Sequence, residues 1–231
     1  QGSKQGRYDF SRGHILHSVG NSLKRLQLET IDLLLLHRPD PLVEPEEVAE
    51  AFEELKKSGK VKEFGVSNHT PAQMVLLRKY LPMPLKTNQI EFHLLYSDML
   101  DGGIAGGPGT LDPSGAEGTI EYCRTHDICL QAWSPAARGL LSGAVYRGRD
   151  ENLKKRIENC GARVRELAAQ HEVSPEAIVV AWVLHHPAKI LPLLGSRTPE
   201  RIRRYAGSLE VKLSREEWYE LYCLGRGSGL P

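Results

Sequence analysis

The feature that most constrains the fold of this chain is its alternation of short apolar runs with amphipathic helical stretches. The segment Ile31–Leu36 ("IDLLLL") shows it most clearly, because four consecutive leucines predict a strand buried on both faces, as in a parallel sheet covered by helices. A helix over 45–57 follows, in which Val48, Phe52 and Leu55 recur at helical spacing. Strands that alternate with helices along a chain predict an α/β fold built on a parallel sheet.

The same alternation continues to the end of the chain. The predicted strands cover 31–36, 61–66, 85–92, 128–133 and 189–194; the predicted helices cover 11–26, 45–57, 118–125, 151–171 and 175–185, and Thr70-Pro71, Ser174-Pro175 and Thr198-Pro199 each begin a helix. Five strand–helix units with an extra helix before them predict a (β/α)8 TIM barrel that is incomplete at its N-terminus, since eight units need about 250 residues. No linker divides the chain, so residues 1–231 are expected to form a single domain from about the end of the third barrel strand.

Composition narrows the functional classes. The formal net charge of +1 gives no overall attraction for nucleic acid. No apolar run reaches the roughly 18–20 residues of a membrane span, and no signal-peptide pattern opens the chain. The four cysteines form no Cys-x-x-Cys pair, which predicts buried or idle thiols in a reducing compartment and no metal site. A cytoplasmic protein without a nucleic-acid or membrane partner is therefore expected.

Every predicted strand carries polar or aromatic residues in its last part or directly after its end. They are His37-Arg38, Ser67-Asn68-His69, Asn88-Gln89, Trp133-Ser134 and Gly195-Ser196-Arg197. An isolated histidine such as His37 is more often structural, but in a parallel barrel the functional residues collect at the carboxyl ends of the strands. Five such ends predict a functional rim. The glycine-rich stretch 101–118 neither follows a strand nor opens a helix, as a dinucleotide fingerprint requires, and is predicted to be a flexible loop.

Five segments in order resemble the aldo-keto reductases: "IDLLLLHRPD", "GKVKEFGVSNHTPAQ", "TNQIEF", "QAWSPAARGLLSG" and "LPLLGSRTPERI". The resemblance runs from about residue 1 to residue 218, and the "HRPDP" form is most similar to the bacterial oxidoreductase branch. It implies a TIM barrel that reduces aldehydes or ketones to alcohols by direct hydride transfer from NADP(H). The implied partner is a small-molecule carbonyl substrate.

The family's catalytic tetrad consists of Asp, Tyr, Lys and His. By resemblance, Lys4 in "QGSKQG" is the lysine and His37 is the histidine. The aspartate and tyrosine precede the family's third strand, where this chain has no residues, and Tyr8 and Asp9 fall on the wrong side of Lys4. We expect the natural polypeptide to continue N-terminally. The alternative is a catalytically inactive nucleotide-binding or regulatory relative that lacks both residues.

The resemblance assigns the other site residues to the cofactor. Ser67, Asn68 and Gln89 are expected to hold the nicotinamide carboxamide, and Trp133 to stack on the ring. The residues expected around the phosphates are Ser134, Pro135, Arg138, Gly139 and Leu140 after one strand, and Gly195, Ser196, Arg197 and Arg201 after another. Arg197 and Arg201 are expected to pair with the 2′-phosphate of NADP. Arg204, with Arg203, is expected either to stack on adenine or to form a solvated helix face.

Two further readings concern residues outside this set. An unrelated barrel hydrolase is disfavoured, because no strand end carries a His-x-His pair or paired carboxylates. Trp182 and Trp218 lie at helical positions, which predicts a role in packing rather than in a substrate pocket.

Overall fold

The computed structural model of the chain describes residues 6–100 and 118–230. Over these residues parallel strands alternate with helices, which confirms the predicted α/β fold. The elements are α1 (Arg12–Leu26), β1 (Ile31–Leu36), α2 (Pro45–Lys57), β2 (Val61–Ser67), α3 (Pro71–Tyr80), β3 (Leu85–Glu91), α4 (Thr119–Thr125), β4 (Cys129–Trp133), α5 (Glu151–Gln170), α6 (Pro175–Leu184), β5 (Leu191–Leu193), α7 (Pro199–Ala206) and α8 (Arg215–Arg226). Most of the predicted loop 101–118 lies outside the described residues.

The chain divides into two compact units, which we describe separately. The first unit comprises Gln1–Gln89 and Tyr122–Ile128, and the second comprises Ile90–Glu121 and Cys129–Pro231. In the first unit β1 pairs with β2 and β2 pairs with β3, both in parallel. In the second unit β4 pairs in parallel with β5. Among the described residues, no helix combines the length and apolar character needed to cross a membrane.

The core of the first unit lies between α2 and β2. The rings of Phe52 on α2 and Phe64 on β2 are fully buried and stack with their centroids 4.1 Å apart. Helix α1 buries one stripe, Ile15, Val19 and Leu23, and packs against α2. The predicted helix 11–26 agrees with α1, and the i, i+4, i+8 spacing of this stripe is typical of an amphipathic helix.

The prediction that β1 is buried on both faces was wrong. Only Leu36 is buried, whereas Leu33, Leu34 and Leu35 are half-buried and Asp32 is exposed. The reason is the position of the strand: among the described residues β2 is its only strand partner. An edge strand keeps one side without a neighbour, so the leucine run gives apolar character but not complete burial.

A register shift in the β2–β3 ladder depends on Gly65. Phe64 pairs with Leu85 and Val66 pairs with Asn88, so three residues of β3 span two of β2. A Cβ on Gly65 would lie 2.5 Å from the Cγ2 atom and 2.8 Å from the carbonyl oxygen of Thr87. Glycine is therefore required here by the close approach of the neighbouring strand, and the shift changes which β3 residues stand beside the end of β2.

The core of the second unit confirms the packing role predicted for the tryptophans. Trp182 on α6 and Trp218 on α8 stack with ring centroids 5.0 Å apart. Each indole Nε1–H donates to the backbone carbonyl of the other residue, at 3.1 and 3.0 Å. Helix α6 is buried continuously from Glu176 to Val183. A helix that is buried on all sides shows no amphipathic stripe, which is why its sequence is so uniformly apolar.

Strand β5 is shorter than predicted. It covers Leu191–Leu193 rather than 189–194. Lys189 has φ +52° and its N–H donates to the carbonyl of His186 at 3.0 Å, so the chain is still in a turn at that residue. A left-handed residue cannot continue an extended strand, and β5 starts only after it.

Replacing Gly65 by alanine tests the close approach of β2 and β3. We expect Gly65→Ala to lower the free energy of unfolding by about 1–3 kcal/mol, the usual cost of overpacking, because the new methyl group meets backbone as well as side chain. Gly20→Ala is the matched control: its Cβ meets nothing within 4 Å on α1, and it should raise stability by about 0.5–1 kcal/mol. Urea unfolding followed by circular dichroism measures both, and equal stability of the two variants would contradict the argument.

Candidate functional site

The first unit brings the ends of β1 and β2 together. His37 directly follows β1, and the parallel register that pairs Leu36 with Val66 places it beside the end of β2. The side-chain Nδ2 of Asn68 donates to the backbone carbonyl of His37 at 3.3 Å. The imidazole of His37 is exposed. The predicted position of His37 at a strand end is therefore what the structure shows.

Ser67, Asn68 and Gln89 form one hydrogen-bonded group. The Gln89 carbonyl accepts from the Ser67 hydroxyl at 2.8 Å and from the Asn68 N–H at 2.8 Å. Asn68 Nδ2 donates to the Ser67 hydroxyl oxygen, also at 2.8 Å. Asn68 adopts a left-handed conformation with φ +59°, which asparagine tolerates better than most residues. The three residues predicted to act together on a carboxamide are thus held together.

Two neighbouring residues that the sequence did not assign hold this turn in place. Asn88 is completely buried; its Nδ2 donates to the His69 carbonyl at 2.8 Å and its Oδ1 accepts from the His69 N–H at 3.4 Å. The His69 ring is buried and its Nδ1 donates to the Ser67 carbonyl at 2.9 Å. Burial lowers the pKa of His69, so the ring is neutral at pH 7. The sequence contained a signal for this difference in roles. Consecutive residues of a strand face opposite sides of the sheet, so Asn88 and Gln89 are expected to lie in different environments.

In the second unit, the loop after β4 contains a cluster of left-handed residues. Ser134 has φ +55°, Ala137 has φ +48° and Arg138 has φ +55°, and Gly139 follows with φ +82°. For residues other than glycine this conformation is uncommon and costs free energy. Such strain concentrates at functional sites, and here it bends the loop tightly around Gly139, whose carbonyl accepts the N–H groups of Ser142 and Ala144.

This loop and the segment after β5 enclose a pocket of about 260 Å³. The register of β4 and β5 pairs Trp133 with Leu193, so both strands end at the same level. The residues that line the pocket are Ser134, Pro135, Ala136, Arg138, Gly139, Leu194, Gly195, Ser196, Arg201 and Tyr205. None of these described lining residues carries a carboxylate. A pocket wall with two arginines and no carboxylate is suited to an anion.

Seven of the residues predicted to surround phosphates line this pocket: Ser134, Pro135, Arg138, Gly139, Gly195, Ser196 and Arg201. Leu140 and Arg197 are not among its described lining residues. Trp133 is half-buried at the end of β4. Lys4 lies outside the described residues. The sequence did not single out Tyr205, because an aromatic residue one helical turn after an arginine carries no distinctive signal.

Arg203 and Arg204 have different ion-pair partners in the structure. Arg204 Nη1 lies 3.6 Å from the buried carboxylate of Glu176 on α6, so its charge is paired within the protein. Arg203 is exposed and lies 3.5 Å from Glu200 on its own helix. Arg203 therefore lies on an exposed face of α7, whereas the stacking of Arg204 on adenine stays a prediction.

The N-terminus of α7 differs from the expected cap. Thr198 stands at the N-cap position, but its side chain accepts no hydrogen bond from the helix, unlike Thr70 on α3 and Ser174 on α6. Its own N–H donates instead to the Ser196 hydroxyl at 3.2 Å. The prediction of a side-chain cap was wrong here. The first turn of α7, which contains Arg201, therefore has no side-chain acceptor for its N–H groups at this position.

No group of three or more His, Cys, Asp or Glu side chains within 6–100 and 118–230 is arranged to hold a metal ion. The four cysteines form no disulfide; Cys123 and Cys160 are buried, and burial raises the pKa of the Cys160 thiol to about 12.

The fold and the strand ends together define the class of protein. It is a parallel β/α protein with a pocket suited to an anion at the carboxyl ends of β4 and β5.

Comparison with known proteins names the family. The model of the Aldo/keto reductase family matches residues 2–224, and the chain belongs to this family. It is 37% identical over 220 residues to the 6-dehydroglucose reductase of Agrobacterium fabrum, covering 95% of this chain and 65% of the relative. It is 38% identical over 225 residues to the uncharacterized oxidoreductase YcsN of Bacillus subtilis, covering 97% and 67%.

A solved structure supports the same assignment. The thermostable aldo-keto reductase Tm1743, in complex with the inhibitor epalrestat, aligns with a TM-score of 0.72 and 25% identity over 93% of this chain and 67% of its own. The chain thus spans about two thirds of the length of the relatives that it matches. The chain thus belongs to the aldo-keto reductase family, and its alternating parallel strands and helices match those of a relative with this fold.

The buried His69 predicts a pH dependence of stability. Because its pKa is lowered in the folded state, the unfolded chain binds more protons at mildly acidic pH. The contribution of His69 to stability is therefore complete above the unfolded pKa of about 6.5 and is lost as pH falls from there through the folded pKa, with a slope of up to about 1.4 kcal/mol per pH unit.

Urea unfolding of the wild type and of His69→Gln between pH 7.5 and 5 measures this effect. The difference in unfolding free energy between the two proteins should shrink as the pH falls. His17→Gln, which changes an exposed histidine of α1, is the control and should leave the pH profile unchanged. An unchanged difference between wild type and His69→Gln across this range would contradict the assignment.

Proposed function

We propose that the chain belongs to an NADP(H)-dependent oxidoreductase that reduces aldehydes or ketones to alcohols. The observation that carries the proposal is the pocket after β4 and β5, lined by Arg138 and Arg201 and by no described carboxylate, in a member of the aldo-keto reductase family. A pocket with two guanidinium groups favours a phosphate-bearing ligand. NADP(H) carries a pyrophosphate and a 2′-phosphate, and it fits the set of donors present.

Each side of the pocket has a distinct role in this proposal. Arg138 and Arg201 pair with phosphate oxygens through their guanidinium groups, which match phosphate geometry. Gly139 lets the backbone of the loop approach a ligand closely, and Ser196 offers a hydroxyl. The first turn of α7 adds N–H groups and the positive end of the helix dipole. We assign Leu140 and Arg197 only a flanking role, since neither lines the pocket.

The carboxamide end of the cofactor is assigned to Ser67, Asn68 and Gln89. The Gln89 backbone carbonyl accepts from Ser67 and Asn68, and the Asn68 amide donates to the Ser67 hydroxyl, so the three residues are held together at the ends of β2 and β3. A carboxamide needs both donors and acceptors, and serine and amide side chains provide both. Trp133 offers a half-buried indole face suited to stacking on an aromatic ring.

Proton chemistry is assigned to Lys4 and His37. When bound, NADPH supplies the hydride that reduces the carbonyl carbon; the protein has to position the carbonyl and help to move a proton to its oxygen. The exposed imidazole of His37 is free to turn towards a substrate carbonyl while its backbone is held by Asn68. Lys4 is proposed as the cation that tunes the proton donor.

Turnover of NADPH with a panel of aldehydes and ketones tests the proposed reaction. The panel includes 6-dehydroglucose, because a relative is named for its reduction. We expect oxidation of NADPH, followed by absorbance, that depends on the carbonyl compound and is faster than with NADH. Cofactor binding without turnover of any compound would favour the alternative of a nucleotide-binding relative that is not catalytic.

Arg201→Ala tests the phosphate assignment. Losing a charge-assisted hydrogen bond should weaken NADPH by about 1.5–3 kcal/mol and leave NADH nearly unchanged, because NADH has no 2′-phosphate. Arg203→Ala is the matched control on the same helix, since Arg203 is exposed and pairs only with Glu200 in the described structure. Fluorescence titration of both cofactors gives the dissociation constants. Equal weakening of NADPH and NADH by Arg201→Ala would remove the 2′-phosphate assignment.

A further inference from the structure

We infer that Tyr205 is a specificity-determining residue of this pocket and that its hydroxyl donates a hydrogen bond to the ligand phosphate that Arg201 binds. The inference rests on the proposed function, because it takes the pocket to be the phosphate site of NADP(H). It adds a neutral hydrogen-bond donor to that site. This donor distinguishes nucleotides that carry a 2′-phosphate from those that lack one.

The ring of Tyr205 is fixed by packing. Only 9% of the residue is exposed, and it forms an apolar cluster with Ala136 from the loop after β4 and Val180 from α6, against which Leu184 packs. Tyr205 thus connects three elements around the pocket. A side chain held in this way loses little conformational entropy when a ligand binds, which makes it an efficient donor.

The hydroxyl of Tyr205 has no hydrogen-bond partner among the described residues. Yet no described side-chain nitrogen or oxygen is both buried and without a partner. The hydroxyl must therefore reach the small accessible part of the residue, and Tyr205 is one of the residues that line the pocket. A packed ring with an unused hydroxyl at a pocket wall is the arrangement that a polar ligand atom would complete.

Tyr205 and Arg201 are neighbours on α7. They are four residues apart, so they lie on the same face of the helix, and both line the pocket. The Arg201 guanidinium reaches the opposite loop: its Nη2 lies 4.0 Å from the position that a Cβ on Gly139 would occupy. A phosphate monoester has three acceptor oxygens, enough to receive a guanidinium fork and a phenol hydroxyl together.

Contacts between α7 and the start of α6 keep this pair in position. Arg204 is paired with the buried carboxylate of Glu176, and the Ser174 hydroxyl donates to the Arg204 carbonyl at 3.2 Å. Both partners belong to the start of α6, which is buried along its length. These contacts fix α7 against a rigid helix, so Arg201 and Tyr205 present their donors from a backbone that cannot easily shift.

Tyr205→Phe removes only the hydroxyl and tests the inference. We expect the affinity for 2′,5′-ADP to fall by about tenfold, because a hydrogen bond to a charged group is lost, whereas the affinity for 5′-AMP, which lacks the 2′-phosphate, stays within about twofold. Isothermal titration calorimetry measures both. Tyr219→Phe on α8, which does not line the pocket, is the matched control and should change neither affinity.

We expect Tyr205→Phe to fold like the wild type. The phenylalanine ring keeps the contacts with Ala136 and Val180, and no hydrogen bond within the described protein is lost. Unchanged binding by Tyr205→Phe, with binding weakened by Arg201→Ala, would overturn the role of Tyr205 and leave the proposed function standing. Equal loss of 2′,5′-ADP and 5′-AMP affinity would also overturn it. A wild-type protein that binds neither nucleotide would overturn the proposed function itself.

Discussion

The candidate site of the first unit depends on one buried carboxamide. Asn88 on β3 donates to the carbonyl and accepts from the N–H of His69, the second residue after β2. Without it, two backbone groups of a buried turn would lack partners, each at a cost of about 1–3 kcal/mol. Because His69 is held, its ring can bind the Ser67 carbonyl, and Asn68 keeps the left-handed conformation that directs its side chain towards His37.

The second unit contains a pocket whose described lining residues include two arginines and no carboxylate. Its pocket is shaped by left-handed residues at 134, 137 and 138 and by the beginning of α7. The buried carboxylate of Glu176, at the start of α6, pairs with Arg204 and is not among the described residues that line the pocket. Arg138 and Arg201 are thus left as the charges at the pocket wall, while Tyr205 joins the wall to the apolar core.

Local patterns in the sequence predicted the elements well, and tertiary context decided the rest. Capping signals such as Thr70-Pro71 are local, so they placed the beginning of α3 correctly. Burial of β1 depends on which strands lie beside it, which a leucine run does not encode. The Lys189 turn shortened β5 for the same kind of reason, because nothing in the residue type predicts a positive φ.

In the candidate site, too, features set by local sequence were predictable and features set by tertiary contacts were not. Residues at strand ends were predictable because parallel strands deliver their carboxyl ends to one edge. The roles of Asn88 and Tyr205 were not, since each depends on a partner far away in sequence: the His69 backbone for Asn88, and the loop after β4 for Tyr205. Arg204 likewise looked like its neighbour Arg203 in the sequence, and only the position of Glu176 distinguishes them.

The central claim is that the pocket after β4 and β5 binds the phosphates of NADP(H). A crystal structure of the protein with NADP⁺ tests it most directly. We predict phosphate oxygens within about 3.2 Å of the Arg201 guanidinium, inside the pocket lined by the loop after β4 and by residues 194–196. Phosphates bound elsewhere, with the side chains of Arg138 and Arg201 directed to solvent, would contradict it.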